Sequence, residues 1–136
     1  MLLEAKLELQ RRFAPRISKR AQALFGKLTG NRYQRLTLGE DFALHTAAAG
    51  EDTLHGALWR SDGTADQLYL ALRLAVAEEL TPDAPLVLDD ALVRFDDARL
   101  RRALEVLRQA GETKQVLLFT CQKREGALLE EMGGTL

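Results

Sequence analysis

Cysteine is nearly absent: Cys121 is the single one in 136 residues, which excludes an internal disulfide framework. Histidine occurs twice, as His45 and His55, and neither has a credible metal-ligating partner, so both are read as structural or exposed. Of the few aromatics, Trp59 and Tyr69 are expected to pack rather than to stack on a nucleic-acid base. The opening stretch "MLLEAKLELQRRF" has neither the apolar run of a signal peptide nor the length of a membrane span, so a cytoplasmic protein without a membrane partner is expected. No internal repeat or low-complexity segment occurs. Also missing is any G-x-x-x-x-G-K-[ST] loop, whose backbone N–H groups and lysine would cradle phosphates. What is present, 46% hydrophobic and 29% charged residues, fits one globular domain with a real core. Such a domain buries roughly two-thirds of its unfolded surface.

The formal net charge of −1 conceals an uneven distribution. Residues 1–35 hold nine Lys or Arg against two acids, Glu4 and Glu8, so the remainder carries about −8. A basic segment with Arg11, Arg12, Arg16, Lys19 and Arg20 on an acidic body admits DNA as a partner, and a solvated helix face accounts for the same charges.

Apolar spacing predicts a helix over 2–28, through Leu2, Leu3, Leu7, Leu9, Phe13, Ile17, Leu24 and Leu28, with the rhythm broken near Pro15. After the turn "TGNRY", the stretches "YQRLTLG" and "DFALHTAAAG" alternate around Gly39-Glu40 as a β-hairpin, and "GEDTLHG" reads as a polar loop. A helix over about 62–80 carries Leu68, Leu72, Ala75, Val76 and Leu80 on one face and stops before Thr81-Pro82. "APLVLDD" reads as a strand covered on both faces. A helix over about 96–110 with Leu100, Leu104 and Leu107 follows, then a second buried strand, "KQVLLFTCQ", and a short helix, "REGALLEEMGG". Strand, helix, strand, helix with brief connections is the pattern of a parallel α/β layer.

Two stretches invite a chemical reading. "RSDGTADQ" opens a helix on a polar turn: Ser61 can cap it, but Gly63 costs stability there, as it would if a ligand had to approach the backbone. Helix N-termini attract anions, phosphate above all. Asp89 and Asp90 close a strand at its carboxyl end, where open α/β sheets bind ligands. Taken alone, such a pair is more often a solvated strand end or the N-cap region of the next helix.

In order and spacing, "RSDGTADQLYLALRLA", "PLVLDD", "RFDD" and "FTCQ" resemble the C-terminal half of an ATP-binding-cassette ATPase head. More narrowly they are similar to the large bacterial coiled-coil ATPases of the SMC-like chromosome-maintenance and double-strand-break-repair type, over the stretch from "LTGNRY" to about Glu131. The resemblance implies a partial P-loop NTPase lobe of α/β class, a parallel sheet flanked by helices, with residues 1–30 as a coiled-coil root and 31–136 as the C-terminal half of the head. It implies ATP and Mg²⁺ as cofactors. Ser61, Gly63 and Thr64 fall in the signature motif that meets the γ-phosphate held by an opposing head. Asp89 takes the place of the magnesium-coordinating acid of the Walker B motif, and Asp90 that of the catalytic glutamate which orients the attacking water. Phe95-Asp96 match the D-loop, and Gln122, or Cys121 in the neighbouring register, stands at the switch-histidine position. Cys121 on its own reads as a small buried hydrophobe.

The departures from the family pattern are specific. Arg60 replaces leucine, Ala91 replaces proline, Asp90 is one methylene shorter than glutamate, and no histidine stands at the switch. Both of the last two point to slow hydrolysis. Without a phosphate loop the chain is expected to work with an N-terminal Walker A lobe and a second head, as a homodimer. A non-catalytic half-head serving dimerisation or regulation is the alternative. Loss of the phosphate-loop strand beside "PLVLDD" is further expected to leave an apolar edge that is covered by the first helix or by a second copy.

Overall fold

The computed structural model describes residues 2–30, 33–38, 44–48, 55–56 and 62–133. The first element, α1 (Leu2–Leu28), begins as an exposed helix, with Leu3 and Leu7 in solvent, and becomes a core helix from Ala14 onward. Ala14, Ile17, Ala21, Leu24, Phe25 and Leu28 recur at intervals of three or four residues and are all buried. Each fully buried Leu or Phe side chain stabilises by about 1.5–3 kcal/mol. Pro15 lies inside this helix without breaking it, so the helix predicted over 2–28 is continuous although its apolar rhythm falters there. An interior proline costs on the order of 3 kcal/mol; here the buried Ala14 and Ile17 on either side hold the turn against that cost. The helix ends where Thr29 Oγ1 donates to the Phe25 carbonyl at 2.8 Å and Gly30 turns to a positive φ of 62°.

The expected hairpin forms: β1 (Tyr33–Leu38) pairs antiparallel with β2 (Leu44–Ala48), Leu38 opposite Leu44, with a bulge-like irregularity between Tyr33 and Arg35. A two-residue strand, β3 (His55–Gly56), adds to β2 within the stretch predicted as a polar loop. α1 packs along β1 and against the next helix.

That helix, α2 (Asp62–Leu80), is buried over a broader face than its predicted stripe, because Leu70, Ala71, Leu74 and Ala77 join Leu68 and Ala75 while Leu80 is exposed. The bidentate pair Arg20–Glu78, 2.5 and 3.1 Å, ties it to α1. The hydrogen bond to Glu78 raises the Arg20 guanidinium above its ordinary value. Tyr69, expected to pack, is exposed instead. Lys114 Nζ donates to the carbonyls of Thr81 and Ala84 and so holds the turn after α2.

The second sheet is a parallel pair, β4 (Leu86–Asp89) and β5 (Val116–Phe119), with α3 (Asp97–Ala110) as the crossover and α4 (Lys123–Glu131) after it. α3 buries Leu100, Ala103, Leu104, Val106 and Leu107, as its spacing predicts. The sheet is not covered on both faces as expected. Leu86 and Leu88 point into the core, whereas Val87, Leu117 and Phe119 are exposed on the other face. Nor does α1 cover the sheet edge: it packs on α2, β1 and α3. The outer edge of β4 is occupied in another way, by Arg73 of α2, whose Nη2 donates to the Val87 carbonyl at 2.6 Å. No helix among the described residues is long and apolar enough to cross a membrane.

Candidate functional site at the strand ends

The parallel register sets Asp89 beside Phe119 at the carboxyl ends of both strands. One residue on, the Asp90 N–H donates to the Phe119 carbonyl at 2.9 Å, continuing the ladder past the strand. Asp90 has a φ of 50°, the left-handed region that side chains other than Asn and Asp rarely enter. The Cys121 Sγ lies 3.9 Å from its Oδ1, and that cysteine is exposed rather than the small buried hydrophobe expected. Asp89 is exposed and, among the described residues, its carboxylate has no hydrogen-bond or ion-pair partner. These residues fit Mg²⁺ in a limited sense. No cluster of three or more ligating side chains occurs among the described residues. Mg²⁺ accepts one or two carboxylates with water and phosphate oxygens completing its shell, and the free Asp89 carboxylate suits that mode.

The segment between β4 and α3 is pinned from three sides. Leu92 and Phe95 are buried beneath it. Arg94, within this segment, makes a bidentate pair with Asp66 in the first turns of α2, at 2.7 and 2.5 Å. From the start of α4, Arg124 donates to the carbonyls of Phe95 and Val93, at 2.6 and 3.3 Å, and to Asp97 Oδ1 at 3.2 Å. Asp96 accepts the Arg99 backbone N–H at 2.8 Å and is the N-cap of α3. Gln122 is the N-cap of α4, but its side chain makes no capping bond; its backbone N–H donates to Thr120 Oγ1 at 3.0 Å. The amide of Gln122 is thus uncommitted to the helix it precedes.

Ser61 lies outside the described residues. Gly63 is the second residue of α2, which begins at Asp62. Thr64 is 2% exposed and turned into the fold. Asp89, Asp90, Asp96 and Gln122 therefore gather at the ends of β4 and β5, and the Arg94–Asp66 pair draws the first turns of α2 toward them. Four residues that sequence reasoning passed over organise this arrangement: Asp66, Gln67, Arg94 and Arg124. Gln67 is 1% exposed and its Nε2 donates to the Leu28 carbonyl at 2.7 Å, joining the start of α2 to the end of α1. Only Gln67 carried a signal, as a polar residue directly before the apolar run that begins at Leu68. The arginine pairings span about thirty positions and leave no local pattern.

The chain is 35% identical to the uncharacterized protein YhaN of Bacillus subtilis (strain 168) over 126 residues, which cover 90% of this chain and 13% of that protein. It thus spans about an eighth of that relative's length. No known family model matches it. Among solved structures it superposes with a TM-score of 0.73, at 23% identity and over 90% of its length, on a chain from a study of ATP-driven dimerization and DNA-stimulated activation of SMC ATPases, 77% of which is covered. A similar fit, TM-score 0.71 at 21% identity over 87% of this chain and 38% of the other, is found with an SmcHead bound to the C-terminal winged-helix domain of ScpA. The Smc head domain of Pyrococcus furiosus with an extended coiled coil fits with a TM-score of 0.66 at 20% identity, over 84% of this chain and 30% of that one. The chain has the fold of part of an SMC ATPase head, which is a P-loop NTPase fold.

Proposed function

We propose that this chain is the C-terminal lobe of an SMC-like ATPase head, with residues 1–30 as coiled-coil root and 31–136 as lobe, and that it supplies half of a composite ATP site. The observation that carries the reading is the parallel β4–β5 pair, which sets Asp89, Asp90 and Gln122 at adjoining strand ends. In this reading Asp89 holds Mg²⁺ through water and Asp90 orients the attacking water. Gln122 faces the γ-phosphate from the switch position. Ser61 and Gly63, with Asp96 of the D-loop, address the nucleotide of a second head in a homodimer, whereas Thr64, assigned to the same motif, is buried and supports the start of α2 from within. ATP hydrolysis then governs head engagement in DNA repair or chromosome maintenance, with the basic face of α1 as the DNA contact.

The phosphate-loop lobe joins at β5. In this register Leu86, Leu88 and Asp90 direct their backbone groups toward β5, so Val116 and Leu118 direct theirs to its far edge. The outer edge of β4 is held by Arg73, so a further strand fits beside β5 rather than beside "PLVLDD" as the sequence reading expected. The exposed Val87, Leu117 and Phe119 give that lobe an apolar face to cover.

Nucleotide turnover by this chain, alone and mixed with a phosphate-loop lobe, tests the proposal. Turnover is expected only in the mixture, and Asp90→Asn should lower it on the order of a hundredfold or more. A folded chain that stays inactive in every mixture would instead favour the non-catalytic dimerisation module.

A further inference from the structure

Arg124 reaches from α4 into the segment between Val93 and Asp97. Its guanidinium divides its donors among three acceptors: the Phe95 carbonyl at 2.6 Å, the Val93 carbonyl at 3.3 Å and Asp97 Oδ1 at 3.2 Å. The planar fork is what allows this, since one nitrogen spans both carbonyls while the other meets the carboxylate. Its side chain is only one-third exposed, although Asp97 itself is almost fully in solvent. The two carbonyls belong to residues on either side of Arg94, and Arg94 is held to α2 by Asp66. Asp96, the D-loop residue, lies between Phe95 and Asp97, both of which Arg124 touches. Gln122 stands two positions before Arg124, where the chain enters α4.

We propose that Arg124 is a positioning residue that locks the 93–97 segment to the start of α4, so that the loop presenting Asp96 and the switch residue Gln122 move as one body. The inference rests on the composite-site reading for its consequence, since a γ-phosphate drawing on Gln122 would then shift Asp96 toward or away from the opposing head. Its mechanical part stands on the three hydrogen bonds alone. Arg101 provides an internal comparison: it joins α3 to α4 through Glu131 at 3.6 Å and makes no hydrogen bond or ion pair to the 93–97 segment.

The test compares Arg124→Lys, Arg124→Ala and Arg101→Ala in the full chain. Lysine keeps the charge but cannot form the fork, so both Arg124 variants should speed amide exchange of Phe95, whose N–H bonds the Leu92 carbonyl at 3.1 Å, by about tenfold, while Leu104 in α3 is unchanged. Arg101→Ala should leave Phe95 as it is. Mixed with a phosphate-loop lobe, Arg124→Lys should lower kcat for ATP on the order of tenfold to a hundredfold with KM within about twofold, because Arg124 sets geometry and does not bind nucleotide. Unchanged Phe95 exchange in both Arg124 variants would overturn the clamp. Faster exchange with a wild-type kcat would overturn its coupling role while leaving the composite site intact. A wild-type mixture with no turnover would remove the composite site, and the coupling role with it.

Discussion

Asp90 bends the chain into a conformation that most side chains avoid, and it does so next to a free carboxylate and an exposed thiol. A left-handed backbone costs about 1–2 kcal/mol for an ordinary L-residue, less for Asp or Asn, whose short polar side chains bond locally. Glycine would take the same φ without strain. Stability and chemistry at this position can therefore be separated. Asp90→Val should lower unfolding free energy by about 1–2 kcal/mol in urea titrations, whereas Asp90→Asn should unfold with an unchanged midpoint. If the valine variant were as stable as wild type, the strain would reside elsewhere. The asparagine variant matters for the proposed hydrolysis because it removes the negative charge while keeping the turn, so any loss of turnover would belong to the water-orienting step.

At the scale of elements, the joint between α1 and α2 depends on one polar side chain. The last carbonyls of a helix have no partners within it, and Gln67 supplies one to Leu28 from a site that is 1% exposed. Gln67→Leu keeps the volume but leaves that buried carbonyl unpaired, and should cost about 1–3 kcal/mol. Thermal unfolding against Leu68→Ala, a cavity variant expected to cost about 2–5 kcal/mol, gives the scale. A neutral Gln67→Leu would mean that water reaches Leu28. The same joint shows what was readable beforehand. The bounds of α1, α2 and α3 follow from apolar spacing and from Thr81-Pro82 and Gly111, which are local signals. β3 was not legible because two residues carry no alternation, whereas the helix across Pro15 was, because apolar residues recur at helical spacing on both sides of it. The Asp pair at the end of β4 announced itself. The ring of contacts around it, Arg94 to Asp66 and Arg124 to the Phe95 carbonyl, arises from folding distant positions together.

For the whole molecule, the one-sided sheet is the feature with the largest physical consequence. The run "LVLD" was read as buried on both faces because it is uninterrupted and apolar, and in the fold only alternate residues are covered. Val87, Leu117 and Phe119 remain 43%, 38% and 57% exposed on neighbouring strands, a contiguous apolar surface rather than scattered residues. Contiguous exposed apolar patches mark surfaces that another segment or partner covers. The formal net charge of −1 offers little repulsion between copies, so nothing long-ranged keeps these faces apart. On its own, the chain should therefore self-associate as its concentration rises, seen as a concentration-dependent sedimentation coefficient. Phe119→Lys should suppress that association without lowering stability, because the side chain leaves solvent only on docking. The same substitution should weaken binding of a phosphate-loop lobe, since one apolar face serves both partners, and adding the lobe to wild type should dissolve the self-associated form. A wild-type chain that stays monomeric, or a Phe119→Lys chain that associates as before, would mean that this sheet face is not where the partners meet.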